Sequence, residues 1–278
     1  MIQKILINIL ITFLILILQF FIFYFLSKEK NKSQINENLY MIIGASIFIG
    51  VMFSFASELY DRFNYKIIFF ILWASISSSY WFIINPLKYL LRPKKYFRDI
   101  ELETEIKSEG YNYKILLTDA IQDNAYATGI IPFYKIIIIG KNLKEKLNKS
   151  QLKAITFHEI GHHEKKHILK LFFVNIILQT IFFLMLFEIN KLHFKASFIE
   201  PLLVAMTGGF GGFLFYFIPN KIMYKLEYQA DKYSAIHNDK KAIIDALVKF
   251  DEISEGKLSK GNFNHPSLEK RVENIEKP

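Results

Sequence analysis

The chain has 278 residues, of which 52% are apolar and 16% aromatic, with 28 Phe, no Cys and a formal net charge of +9 at pH 7. Long Ile/Leu/Phe runs alternating with Lys-rich stretches exclude an ordinary soluble globule and mark a polytopic membrane protein. The positive charge fits lysines that flank membrane segments and meet anionic headgroups, and nothing in the chain resembles a nucleic-acid module.

Three N-terminal spans are predicted, Ile5 to Leu26, Leu39 to Ser57 and Ile67 to Asn85, each near the length of about twenty residues that a bilayer requires. The first is too long for a signal peptide and lacks a small-residue cleavage site, so it reads as an anchor. Lys28, Lys30 and Lys32 follow the first span, and Lys88, Arg92, Lys94, Lys95 and Arg98 follow the third. The positive-inside bias then places both clusters in the cytosol and the N-terminus outside.

Between Arg98 and Ile168 there is room for a small α+β unit. Tyr111 to Thr118 and Tyr134 to Ile139 read as strands, the second a buried one with four consecutive isoleucines, ended by Gly140. Asn124-Ala125-Tyr126-Ala127-Thr128-Gly129, followed by Pro132, reads as an edge strand or turn. Ser150 is expected to cap a helix over Gln151 to His167.

That helix carries His158-Glu159-Ile160-Gly161-His162. Positions i and i+4 of an α-helix lie about 40° apart on one face, so the two histidines can offer nitrogens to one Zn²⁺. Glu159 then stands beside the metal, where a base takes a proton from water. His163-Glu164-Lys165-Lys166-His167 repeats the pattern, turned about 140° away on a continuous helix. Ile160 and Gly161 suit a packed helix, whereas Lys165 and Lys166 belong in water and repel a cation, so the first pair is preferred. His163 and His167 are expected at a solvated helix end.

Two further spans, Ile168 to Phe187 and Phe198 to Ile218, return the chain to the cytosol. With no cysteine, a metal must be held by His and carboxylate. Glu188, His193 and Glu200 fall on the outer side of this topology. The segment after the fifth span remains, and in it Glu227 and Asp231 are i and i+4 on a predicted helix. Either carboxylate can bind the metal while the other orients a histidine. The polar stretch Gly256 to Asn264 reads as a mobile loop.

Four strings in this order, NAYATG from Asn124, HEIGH from His158, EYQAD from Glu227 and His265-Pro266, resemble the membrane-embedded zinc metalloproteases that include bacterial HtpX and the CAAX prenyl endopeptidases. The resemblance covers about 88 to 278 and favours the HtpX-like branch, although such members usually have two spans before the catalytic region where this chain shows three. It implies His158, His162 and Glu227 as ligands of one zinc per chain, Glu159 as the base and Asp231 behind the ligands. It also implies that Asn124, Ala125, Tyr126 and Ala127 pair with an extended peptide substrate, and that His265 donates to the developing oxyanion; a His-Pro pair at a helix start is the other reading of His265. Arg271 is expected to pair with an acidic group such as Asp231, in a structural role.

The expected protein is thus a polytopic α-helical membrane protein of about five spans with a small cytosolic α+β zincin-like metalloprotease domain. Its parts are three spans in 1–87, the sheet and HExxH helix in 88–167, two spans in 168–218, and a helical region in 219–278 with the third ligand. It is expected in the inner (plasma) membrane, acting from the cytoplasmic side on peptides or misfolded membrane proteins. Prenyl-protein processing and a non-catalytic zinc-holding sensor or scaffold are the alternatives.

Overall fold

In the computed structural model, which describes residues 66–121, 123–191, 199–261 and 265–277 and isolated positions before 48, an apolar helix α1 (Lys66–Ser79) runs through a π-helical turn, Tyr80–Ile84, into α2 (Asn85–Leu91). Side chains at 133 and 186–216 are outside this description. There follow β1 (Phe97–Arg98), α3 (Ile100–Ser108), β2 (Lys114–Thr118), β3 (Ala125–Thr128), a 3₁₀ turn (Pro132–Tyr134), β4 (Ile136–Gly140) and α4 (Lys141–Lys146). The remaining helices are α5 (Lys149–Glu164), α6 (His167–Lys191), α7 (Ile199–His237), α8 (Lys240–Ile253), α9 (Lys257–Lys260) and α10 (Leu268–Glu276). Trp73–Pro278 forms one compact unit and Met1–Leu72 another.

The sheet has the order β1-β2-β4-β3, with β2 and β4 parallel and both outer strands antiparallel to their neighbours. Ile136 to Ile139 lie fully buried in β4 because both faces of that strand are covered. Ile137 and Ile139 face a core built with Phe157 and Ile160 of α5 and Ile243 and Leu247 of α8. Ile136 and Ile138 face Leu116 and Tyr96, with Tyr89, Tyr126 and Tyr134 packed around them. The segment from Asn124 forms the sheet edge, and Tyr126 pairs with Ile138 in the ladder. Gly129 ends β3 with φ +87°, and a Cβ there would stand 2.0 Å from the Tyr134 carbonyl oxygen.

Helix α5 starts two residues earlier than expected. Asn148 caps it, accepting from Gln151 N at 2.9 Å while Gln151 Oε1 accepts from Asn148 N at 3.0 Å. This reciprocal pair takes the role expected of Ser150, which lies inside the helix. The helix also ends earlier, at Glu164, because Lys166 adopts φ +57° in a two-residue turn before α6. Gly256 to Asn264 contains α9, whose Leu258 is buried in the core, so its first part is a docked helical turn.

Among the described residues two stretches are long and apolar enough to cross a bilayer, Lys66–Leu91 (26 residues) and His167–Met185 (19 residues). They coincide with the third and fourth expected spans. The first two expected spans lie outside the described residues, isolated positions apart, and the fifth falls in the first half of α7. That helix continues through Pro219 to His237, and its second half returns to the sheet unit with Glu227 and Asp231.

Candidate metal centre

Helices α5 and α7 pack against each other along Gly161. A Cβ at Gly161 would stand 3.0 Å from Tyr233 Cβ and 3.2 Å from Ala230 Cα, so glycine permits the approach. Gly161→Val is therefore expected to cost about 1–3 kcal/mol by overpacking. It should also weaken metal binding by spreading the two helices, read by thermal unfolding and by metal titration.

The approach brings His158 Nε2 to 3.2 Å from His162 Nε2, with Glu227 Oε2 3.6 Å from the first and Glu227 Oε1 3.4 Å from the second. All three residues are buried, and one ligand atom from each lies within 4.8 Å of the others, a group that could hold a metal ion. Glu159 is buried beside them, 6% exposed, and its carboxylate has no hydrogen-bond partner among the described residues.

Behind these atoms Asp231 Oδ1 accepts from His158 Nδ1 at 2.9 Å. Arg271 of α10 grips Asp231 in a fork, Nε to Oδ2 at 2.8 Å and Nη2 to Oδ1 at 2.5 Å, so the expected pair forms. Its Nη2 also lies 3.5 Å from Glu227 Oε2. His265, partly exposed just before α10, places Nδ1 3.2 Å from Glu227 Oε2. Burial disfavours the Glu227 carboxylate, but the His162 and His265 rings beside it and the charge of Arg271 outweigh it and hold the group well below the usual range. Burial likewise opposes charge on Asp231, and the Arg271 guanidinium reverses the balance.

The second HExxH is not solvated. His163 and His167 are both buried, and only Glu164, Lys165 and Lys166 between them face water. His163 Nε2 lies 3.2 Å from the Ile136 carbonyl and its ring stacks on Tyr113, which fastens α5 to β4. Burial pushes His163 down to about 4. The turn at Lys165–Lys166 explains the difference from the continuous-helix expectation. It folds His167 back so that its Nδ1 meets His162 Nδ1 at 3.1 Å, while its Nε2 meets Gln229 Oε1 at 2.9 Å.

The predicted strand residues Ala125, Tyr126 and Ala127 lie on β3, the edge strand against which α5 packs, and Asn124 directly precedes it. Of the three acidic or imidazole residues set aside on topology, His193 lies outside the described residues.

Two histidines one helical turn apart, a buried glutamate between them in sequence and a third donor from a second helix define a metallopeptidase. Residues 96–278 match the model of peptidase family M48, and the chain belongs to that family. The fold is similar to that in the crystal structure of S. mikatae Ste24p, with a TM-score of 0.69 and 18% sequence identity over 88% of this chain. The match covers 66% of the Ste24p chain, so this chain spans less than two thirds of that protein. A comparison with curated proteins finds no match.

Proposed function

We propose that the protein is a zinc-dependent endopeptidase that cleaves peptide bonds at the cytosolic face of a cell membrane, in the removal of damaged membrane proteins. The observation that carries this reading is the convergence of His158, His162 and Glu227. Ligand atoms at the corners of a zinc tetrahedron with bonds of about 2.0–2.1 Å stand about 3.3 Å apart. The two imidazole nitrogens stand 3.2 Å apart and each lies 3.4–3.6 Å from one or the other oxygen of Glu227, and the donors are two imidazoles and a carboxylate, so the set suits zinc. One ion per chain would be held by those three side chains, with Asp231 orienting His158. When bound, zinc supplies Lewis-acid chemistry that eases water deprotonation and polarises a carbonyl.

Glu159 accepts the proton of the attacking water and passes it to the leaving amine. Asn124 and the open edge of β3, from Ala125 through Tyr126 and Ala127, pair with an extended peptide by main-chain hydrogen bonds, which suits broad specificity. His265 donates to the oxyanion from its place beside Glu227.

In the membrane, residues 1–87 supply three spans and 168–218 two more. They flank the catalytic 88–167 and precede the ligand-bearing 219–278, with the N-terminus outside. The apolar stretches Lys66–Leu91 and His167–Met185 support this arrangement. A reporter fused before Lys4 should be found outside, and a cytosolic reporter would break the topology.

Activity is expected to vanish on chelation and to return with added zinc, measured on a fluorogenic peptide or casein in detergent. Chelator-resistant cleavage would sink the zinc reading. Preferential cleavage of a prenylated peptide would assign the protein to prenyl-protein processing instead, and zinc binding without any cleavage to a sensor or scaffold role.

A further inference from the structure

We propose that His167, backed by Gln229, is a positioning residue for His162: it holds that ring in the tautomer whose Nε2 lone pair faces His158 and Glu227, and so sets the affinity of the centre for its metal. This rests on the zinc reading above. It gives a role to the second HExxH string, whose last histidine is fully buried.

The tautomers follow one another along the chain of contacts. Gln229 Oε1, 2.9 Å from His167 Nε2, can only accept, so His167 Nε2 carries its ring proton. A neutral imidazole has one N–H, which leaves His167 Nδ1 bare and able only to accept. The hydrogen bond of 3.1 Å between His167 Nδ1 and His162 Nδ1 then requires the proton to sit on His162 Nδ1. His162 Nε2 is thereby left with its lone pair free, directed at His158 Nε2 and Glu227 Oε1. Which nitrogen of a ligand histidine is available is set by the bond the other nitrogen makes.

The two ligand histidines are therefore held by different devices. His158 leans on a carboxylate fixed by Arg271, whereas His162 leans through His167 on the amide of Gln229. The backbone is shaped for the relay. Helix α5 stops at Glu164, Lys166 takes the left-handed φ of +57° that favours glycine, and α6 restarts with His167 as its first residue. A helix continuing without the turn would carry residue 167 to another face, away from His162.

The test uses the full-length protein in detergent and reads zinc affinity by competition with a chromophoric chelator, with the Co²⁺ absorption spectrum as a second signal. His167→Leu is expected to weaken zinc binding about 10–100-fold. His167→Asn, whose Oδ1 stands near the former Nδ1 as an acceptor, should restore most of the affinity, and Gln229→Leu should lose affinity in the same direction. In a His162→Ala background, His167→Leu should cause no further loss, because the ring it positions is gone. Wild-type zinc affinity in His167→Leu would overturn the relay, and so would an equal loss with and without His162. If His167→Leu does not fold, Gln229→Leu carries the test by the same criteria. Absence of zinc binding by the parent chain would overturn the metal centre itself, whereas loss on His162→Ala with none on His167→Leu or Gln229→Leu would overturn the relay alone.

Discussion

Replacing Glu159 by Gln is expected to lower peptide hydrolysis about 10²–10⁴-fold while the metal content of the protein stays unchanged. The amide has nearly the shape of the carboxylate, so packing against α7 should survive, but it cannot take a proton from water at neutral pH. Glu159 suits the role on three grounds. It follows His158 directly, it is buried, and among the described residues no hydrogen-bond partner competes for its oxygens. Metal analysis beside a fluorogenic-peptide assay separates the outcomes. Loss of both zinc and activity would make Glu159 part of the metal shell, and parental activity in the variant would remove it from the reaction. If the same variant also holds its substrate, mass spectrometry of membranes expressing it should show proteins enriched with it that are absent with the parent.

Arg271→Ala is expected to cost about 3–5 kcal/mol, because it leaves Asp231 fully buried with its counter-charge removed. The guanidinium contacts two acidic residues of α7, 2.5 Å from Asp231 and 3.5 Å from Glu227, so the loss reaches the proposed metal ligand Glu227 as well as the fold. A large fall in thermal unfolding temperature in detergent is the expected result, and a fall of less than a degree or two would show that the pair is screened by water. Changing both partners, Arg271→Met with Asp231→Leu, should recover much of the stability, since an apolar pair needs no charge balance. Metal affinity should nonetheless remain about 10–100-fold reduced, because His158 Nδ1 has lost its acceptor. The double variant thus separates what Arg271 does for folding from what Asp231 does for the histidine.

The parts of the site legible from sequence are those governed by one uninterrupted helix. Spacing alone places His158 with His162, and Glu227 with Asp231, on common faces, and helix α5 keeps its register across the first HExxH. The same reasoning fails for His163 and His167. It extends the helix past Glu164, where a left-handed Lys166 ends it, and nothing in a Lys-Lys pair announces that conformation. A lysine pair flanked by histidines reads as solvated, and here only the lysines are. In the sheet, four isoleucines in a row are the mark of a strand covered on both faces, which β4 is. Strand β1, two residues long, is too short to leave any periodic signal. The choice of Asn148 over Ser150 as the cap turns on Gln151 reaching back, a reciprocal bond that a residue preference alone does not reveal.

The division of the candidate metal-binding residues between α5 and α7 has a bearing on how a cell can make such a hydrolase safely. A ribosome that has synthesised α5 has released His158, Glu159 and His162 but not Glu227. Glu227 emerges only after α6 and the apolar first half of α7, and the arginine that balances its neighbour Asp231 follows in α10. On the metal-centre reading proposed above, hydrolytic competence therefore comes late in translation, after the apolar helices have been made. A stalled or truncated chain ending before Glu227 would lack part of the candidate metal-binding group.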